Sequence, residues 1–295
     1  MSSSLPIWRA TSYSRTLLAY FAGPARSLRV FSTHTHACNL ISTEGEWIAL
    51  VDRQHGNGPF HVVVPTALLR QRQPSETVRY ANGLLQFTGT QLDLRYAQVW
   101  EPQLELLRLH SRIFPWLHEN LQVIASPLFT FTPNDSATLP RVATPLIEWL
   151  LQSLHEGDQG QIVQAAQQLA GLGPGLTPAG DDFLMGLMAA LTLFQPALGQ
   201  NLSSTAARVM IGVAAAQQTT RLSAQWLQAA ARGEFGVAWH QLAAALAKAD
   251  QVSITQALRR ILASGATSGA DALAGFGKGL GIGDVNFKSN KKDSR

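Results

Sequence analysis

The chain has 295 residues, of which 46% are hydrophobic and only 14% charged, with a mean hydropathy of +0.03. That composition excludes a disordered chain. Its longest apolar run, Phe183 to Phe194, falls short of the roughly 20 residues that a bilayer span needs. The net charge of +4 is concentrated in Phe287 to Arg295, where Lys288, Lys291, Lys292 and Arg295 stand against Asp293 alone. With no basic stripe and interleaved aromatics elsewhere, neither nucleic acid nor membrane is an expected partner. The sequence reads as a cytoplasmic subunit with little charge to spare, which buries area against other proteins.

Residues 1–26 form an N-terminal extension. The chain before Glu44 has no acid and carries Arg9, Arg15, Arg26 and Arg29. That resembles a transit peptide in composition, but Ser14 to Phe21 followed by Gly23-Pro24 reads as a short amphipathic helix with a stop. Residues 27–100 read as a β-rich domain, with strands at Leu28–Phe31, Trp47–Val51, His61–Val64, Leu84–Phe87 and Leu92–Trp100. From about residue 101 to 286 the period is helical. Thr144-Pro145 reads as a helix start, Ser253 with Gln256 as a capping box, and further helices fit 160–170, 181–195, 203–218, 222–232, 236–248 and 268–280. Pro133 to Arg141 is the expected linker and 287–295 a disordered basic tail. The fold class is α+β, a β-rich front followed by a mainly helical back.

Half of the 24 glycines fall within two short windows, 171–186 and 265–283. The first contains L-G-P-G-L-T-P-A-G-D-D-F-L-M-G (Leu172 to Gly186) and the second G-A-T-S-G-A-D-A-L-A-G (Gly265 to Gly275). Superposing Asp182 on Asp271 also matches Gly180 with Gly269, Leu184 with Leu273 and Gly186 with Gly275. This is a pseudo-repeat of a glycine loop feeding a helix. Thr177 before Pro178 marks one helix start, and Ser268 with Asp271 reads as a capping box at the other. Small residues then recur at i, i+4 and i+8 (Asp182, Gly186, Ala190 and Asp271, Gly275, Gly279), a face that allows two helices to approach closely. Packed in parallel, the helices bring both loops to one end.

A glycine loop at a helix N-terminus suits a small anion, because backbone N–H groups and the helix dipole face it. The candidate binding set is Gly173, Gly175, Thr177, Gly180, Asp181, Asp182, Thr267, Ser268, Gly269 and Asp271, with Asp182, Thr177 and Asp271 the candidates for catalysis. No cofactor is required by these residues. Mg²⁺ between Asp181, Asp182 and the ligand is one way to relieve carboxylate–anion repulsion. The alternative is that the carboxylates cap backbone and orient neighbours. Neither loop contains a lysine, so this is no P-loop, and Arg221, Arg232, Lys278 or a partner chain are the candidate cations. Elsewhere, His34, His36 and Cys38 share period two and one strand face, which reads as a packed surface rather than a metal site.

At the two glycine windows the sequence resembles the AllH-type subunit family of bacterial oxamate carbamoyltransferase. G-P-G-L-T-P-A-G-D-D at 173–182 and G-A-T-S-G-A-D at 265–271 carry the resemblance. H-A-C-N-L at 36–40, Gly58-Pro59 and the stretch holding Ser223, Leu227, Ala230 and Gly233 support it. The resemblance implies anaerobic purine and allantoin breakdown, in which oxalurate and phosphate become oxamate and carbamoyl phosphate with two further subunits. Where the family often has His, this chain has Ala266, so any acid–base role of that side chain is absent here. Two other readings use the same residues: a stand-alone Mg²⁺-dependent phosphotransferase or hydrolase, and a non-catalytic scaffold subunit whose loops only pack helices.

Overall fold

The computed structural model describes residues 5–106 and 143–289, and the chain separates into two compact units, Met1–Pro102 and Gln103–Arg295. The expected linker at 133–141 lies outside the described residues. The fold is α+β, strands first and helices after.

The first unit holds ten strands: β1 (Ile7–Arg9), β2 (Ser12–Ser14), β3 (Arg26–Thr33), β4 (Ala37–Ser42), β5 (Trp47–Val51), β6 (His61–Val63), β7 (Thr77–Ala81), β8 (Leu84–Phe87), β9 (Thr90–Asp93) and β10 (Gln98–Trp100). They form one sheet in the order β1-β9-β8-β7-β3-β4-β5-β6-β2-β10. Only Ala10 and Thr11 separate β1 from β2, yet β1 pairs with β9 and β2 with β6, near opposite ends of that order. The Ala10 amide donates to the Asp93 carbonyl and the Thr11 amide to that of Val63. One extended segment thus laces both ends together, and the sheet curls into a barrel-like wall. Alternating residues, among them Val30, Leu40, Leu50, Val62, Val78 and Leu85, fill its interior.

Three expectations change here. Residues 7–14 contribute β1 and β2 rather than standing apart as an extension, because their backbone groups pair into the sheet. The single strand expected at Leu92–Trp100 is two, β9 and β10, broken where Asp93 accepts from the Arg95 amide. His34 and His36 are not on a strand: they occupy the turn between β3 and β4, so they do not share a face with Cys38, which is buried. His36 Nδ1 instead lies 2.7 Å from Asp52. The helix expected at Ser14–Phe21 is present as a 3₁₀ turn and α1 (Leu18–Ala22), with the Ser14 hydroxyl accepting from the Thr16 amide. A second short helix, α2 (Thr66–Leu69), follows β6.

The second unit contains α3 (Ala143–Glu156), α4 (Gln159–Leu169), α5 (Ala179–Phe194), α6 (Ser204–Ala215), α7 (Arg221–Arg232), α8 (Val237–Ala247), α9 (Gln251–Leu262) and α10 (Ser268–Ser289). All of α5 except Met185 and Phe194 is buried, so it is the axis of the unit, packed by α6, α7 and, most extensively, α10. Asp158, Ser203 and Thr220 cap α4, α6 and α7 with side-chain acceptors. Three helix starts differ from the sequence reading. α3 is already helical at Ala143, which puts Thr144 inside it. α9 begins earlier than Ser253, since the Asp250 carboxylate accepts from the amides of both Val252 and Ser253 and is the stronger cap. α10 begins at Ser268 itself, with the Thr267 carbonyl accepting from Ala270 and Asp271, so Ser268 is not the cap. α10 also runs through Phe287 to Ser289, where a disordered tail was expected, and residues 290–295 lie outside the described residues. No helix among the described residues is long and apolar enough to cross a membrane.

Candidate functional site at paired helix starts

The glycine faces do what their spacing suggests. A Cβ on Gly186 would stand 1.7 Å from the Ala272 carbonyl oxygen, and one on Gly275 would stand 1.9 Å from that of Phe183. Ala272 and Phe183 each follow the aligned aspartates directly, so the contact is reciprocal. Gly279 meets Ala190 further along, where an added Cβ would lie 2.5 Å from the Ala190 Cβ. Contacts that advance together along both helices mean that α5 and α10 run parallel, related by a pseudo-twofold. The loop ends are equally tight: Cβ atoms on Gly180 and Gly269 would each fall 2.0 Å from a carbonyl of the preceding helix, Leu169 and Ile261 respectively.

Both loops therefore meet at one end, and the Thr177 and Ser268 hydroxyls lie 3.0 Å apart across the seam. Exposure falls in layers. Pro174 to Leu176 and Ala263 to Ala266 are exposed, Thr177, Thr267 and Ser268 are half-buried, and Asp182 and Asp271 lie beneath at 4% and 6% exposure. Gly173 and Gly175 hold positive φ, of 108° and 101°, which an L side chain rarely adopts. All ten residues singled out in the sequence belong to these two helix starts and the loops that feed them.

Adjacent in sequence, Asp181 and Asp182 have different partners. Asp181 accepts from the Gly171 amide at 2.9 Å, from the Ser223 hydroxyl at 2.7 Å and from the Thr219 hydroxyl. Thr220 adds a hydrogen bond to the Leu176 carbonyl at 2.7 Å. The start of α7 thereby clamps the first loop, with Asp181 as its anchor. Thr219 and Thr220 escaped sequence reasoning because nothing local marks a hydroxyl that serves a carboxylate or a backbone carbonyl some forty positions away. Asp181→Ala would strand three donors, one of them a backbone amide, and is expected to cost about 2–4 kcal/mol of stability. Asp181→Asn, which keeps an acceptor, should cost less. Urea unfolding of the two variants checks the order, and a neutral Asp181→Ala would contradict the anchoring role.

Asp182 and Asp271 each keep one oxygen, Oδ2, buried without a hydrogen-bond partner. Burial pushes the Asp182 carboxyl up to about 8. The Asp271 and Asp181 charges add to the rise, and the Ser268 and Thr177 hydroxyls work against it. Burial likewise raises Asp271 to about 7, opposed by the Thr267 hydroxyl. Asp181 is also raised by burial, against the pull of its three donors. At neutral pH the Asp182–Asp271 pair thus retains proton, and a neutral carboxyl both donates and accepts hydrogen bonds.

Two expectations shift. The first-turn amides are largely engaged within the protein: Gly180 donates to Leu172, Asp181 and Asp182 to Pro178, Gly269 to Ser264, and Ala270 and Asp271 to Thr267. The recognition chemistry therefore rests more on side chains than on bare helix-end amides. A cation held by Asp181 and Asp182 is also disfavoured, because both Asp181 oxygens already accept from the protein. Among the described residues no group of three or more His, Cys, Asp or Glu side chains is arranged to hold a metal ion. Of the candidate cations, Arg221 opens α7 at the site's end of the bundle, while Arg232 sits at the other end of α7, paired with Glu234 at 2.8 Å. Lys278 is exposed, nearly three turns along α10.

Residues 169–280, which begin just before the first loop and run past the second, match the family model for oxamate carbamoyltransferase subunit AllH. Residues 9–99, the strand-rich unit, match the AllH family N-terminal domain. The chain belongs to the AllH family. No solved structure matches it. The AllH match covers both glycine loops and the α7 segment that clamps the first, so all ten candidate residues lie within the matched region. Membership in a family described as a carbamoyltransferase subunit also implies partner subunits.

Proposed function

We propose that this AllH-family chain is a subunit of an oxamate carbamoyltransferase-like enzyme that binds its small anionic ligands at the paired glycine loops. The observation that carries this reading is the convergence of two helix starts on one buried carboxyl pair roofed by three hydroxyls. The positive ends of two parallel helices favour an anionic ligand, and Thr177, Thr267 and Ser268 supply donors for its oxygens. In the reaction, a phosphate oxygen attacks the carbamoyl carbon of oxalurate and the bond from that carbon to the oxamate nitrogen breaks. The nitrogen takes up a proton as oxamate leaves with its amide complete, and carbamoyl phosphate remains. A carboxyl pair that holds a proton near neutral pH is a ready source for that transfer.

The Mg²⁺-dependent phosphotransferase or hydrolase reading would have to use Asp182 and Asp271, since Asp181 is committed to the α7 clamp. The scaffold reading treats the pair as packing only. Reconstitution separates the stand-alone enzyme from the two subunit readings, which the Asp182→Asn variant in the assembled enzyme then distinguishes. Assembled with its two partner subunits, the chain should support carbamoyl phosphate formation from oxalurate and phosphate, and omitting it should abolish that activity. Turnover by the chain alone would favour the stand-alone enzyme, and full activity of the partners without it would contradict the proposal.

A further inference from the structure

We propose that a cleft in the strand-rich unit binds a small organic anion, a flat aromatic or heteroaromatic ring that carries a carboxylate or a phosphate. The site goes beyond the carbamoyltransferase reading and does not rest on it. The cleft has a volume of about 400 Å³, within the usual range for small-molecule sites. Its walls come from β2, the end of α1 with the loop that follows, the β7–β8 turn and the turn after β9. Aromatic side chains form one wall: the Tyr13 and Phe21 rings meet edge to face with centroids 5.3 Å apart, and Phe21 and Tyr80 lie 5.2 Å apart. Tyr80 is buried and its hydroxyl donates to the Phe21 carbonyl, which holds that wall in shape. Tyr13 is half-buried, and its hydroxyl has no hydrogen-bond partner among the described residues. Arg95 is the one lining residue that carries a charge, so the cleft favours an anion. Its guanidinium is fixed in advance. Nε and Nη2 donate to the two oxygens of the buried Asp93 carboxylate at 2.9 and 2.8 Å. The stem lies across Gly83, where an added Cβ would stand 2.5 Å from the Arg95 Cγ. Nη1 has no partner among the described residues, which leaves its two N–H bonds for a ligand oxyanion. Asp93 balances the charge from outside the lining. The cleft itself thus offers a ring the faces and edges of Tyr13 and Phe21, and an oxyanion a donor group that loses little freedom on binding.

The test is calorimetric titration of the full chain with four probes: benzoate, phenyl phosphate, inorganic phosphate and benzyl alcohol. Benzoate or phenyl phosphate is expected to bind saturably, and the tighter of the two names the head group. Inorganic phosphate, which lacks the ring, and benzyl alcohol, which lacks the charge, should each bind at least ~10-fold more weakly. Arg95→Gln should weaken the tighter probe by about 10-fold or more and leave benzyl alcohol unchanged. Ala25→Glu, at an exposed position of the same lining, sets a negative charge in the wall and makes the same test without touching the Asp93 pair, should Arg95→Gln not fold. No saturable binding of either ring anion would overturn the proposal. Binding that survives both substitutions would also overturn it, because the anion would then sit elsewhere, as at the glycine loops. Benzyl alcohol as tight as benzoate would show an apolar cleft with no call for an anion, and inorganic phosphate as tight as phenyl phosphate would remove the ring from the ligand class. Each of these results leaves the carbamoyltransferase reading untouched, since that reading is judged by turnover of the reconstituted enzyme.

Discussion

Asp182→Asn is expected to make the protein more stable at pH 8, by about 2–4 kcal/mol, while leaving it nearly unchanged at pH 4. The folded carboxyl sits at about 8 against an ordinary value of 3.8. Between those values the folded state holds a proton that the unfolded chain has released. Stability therefore declines as pH rises from roughly 4 to 8 and levels off above. Asp271, raised to about 7, adds to the same decline. An asparagine is neutral at every pH and removes the Asp182 contribution, flattening the profile. Read from sequence alone, a first-turn aspartate looks like an exposed cap worth under about 1 kcal/mol, and its loss looks mildly destabilising. Burial at the α5–α10 seam reverses that sign. Denaturant unfolding of wild type and Asp182→Asn between pH 4 and 9 checks it, and an Asn variant less stable than wild type at pH 8 would contradict the buried, proton-holding pair.

The second large effect lies in the seam itself. Gly186→Ala and Gly275→Ala would each drive a methyl group into a backbone carbonyl of the opposite helix, at 1.7 and 1.9 Å from its oxygen. Backbone cannot yield as a flexible side chain can, so the helices must separate. The expected loss is about 3 kcal/mol or more for each, at or beyond the upper end of ordinary overpacking. Gly277→Ala is the control on the same helix. Nothing lies within 4 Å of its added Cβ, and removing a helical glycine there should stabilise by about 0.5–1 kcal/mol. Thermal unfolding of the three variants should therefore split them in sign, and a tolerated alanine at Gly186 would mean that α5 and α10 do not meet as described.

These effects also show which parts of the fold were legible in the sequence. The helices were, because hydrophobic period and caps are local signals. Where starts were misplaced, a better acceptor lay a few residues upstream, as Asp250 does for α9. The meeting of the two loops was legible too, since the matched glycines at 186 and 275 require a close partner and each is the other's. The barrel-like closure was not. β1 and β2 are three residues each, partly polar, and take their place only because opposite ends of the sheet claim the same segment. β7 was overlooked although Asn82-Gly83, both at positive φ, is a strong two-residue hairpin signal between Ala81 and Leu84. At the site, spacing could place Asp181 and Asp182 together but could not separate them. Their division of labour, one anchoring a loop and one left with an unpaired oxygen, follows from where the start of α7 lands.

The role of the carboxyl pair is tested most directly by turnover of oxalurate and phosphate in the reconstituted enzyme carrying Asp182→Asn, against the same enzyme with wild-type chain. If the carboxyl pair takes part in binding and proton transfer, turnover should fall by about 10²–10³-fold, equivalent to about 2.7–4 kcal/mol of transition-state stabilisation, in a subunit that is folded, assembled and more stable than the original at pH 8. Near-wild-type turnover by that assembled, stabilised variant would remove Asp182 from the chemistry and leave the glycine loops as packing alone.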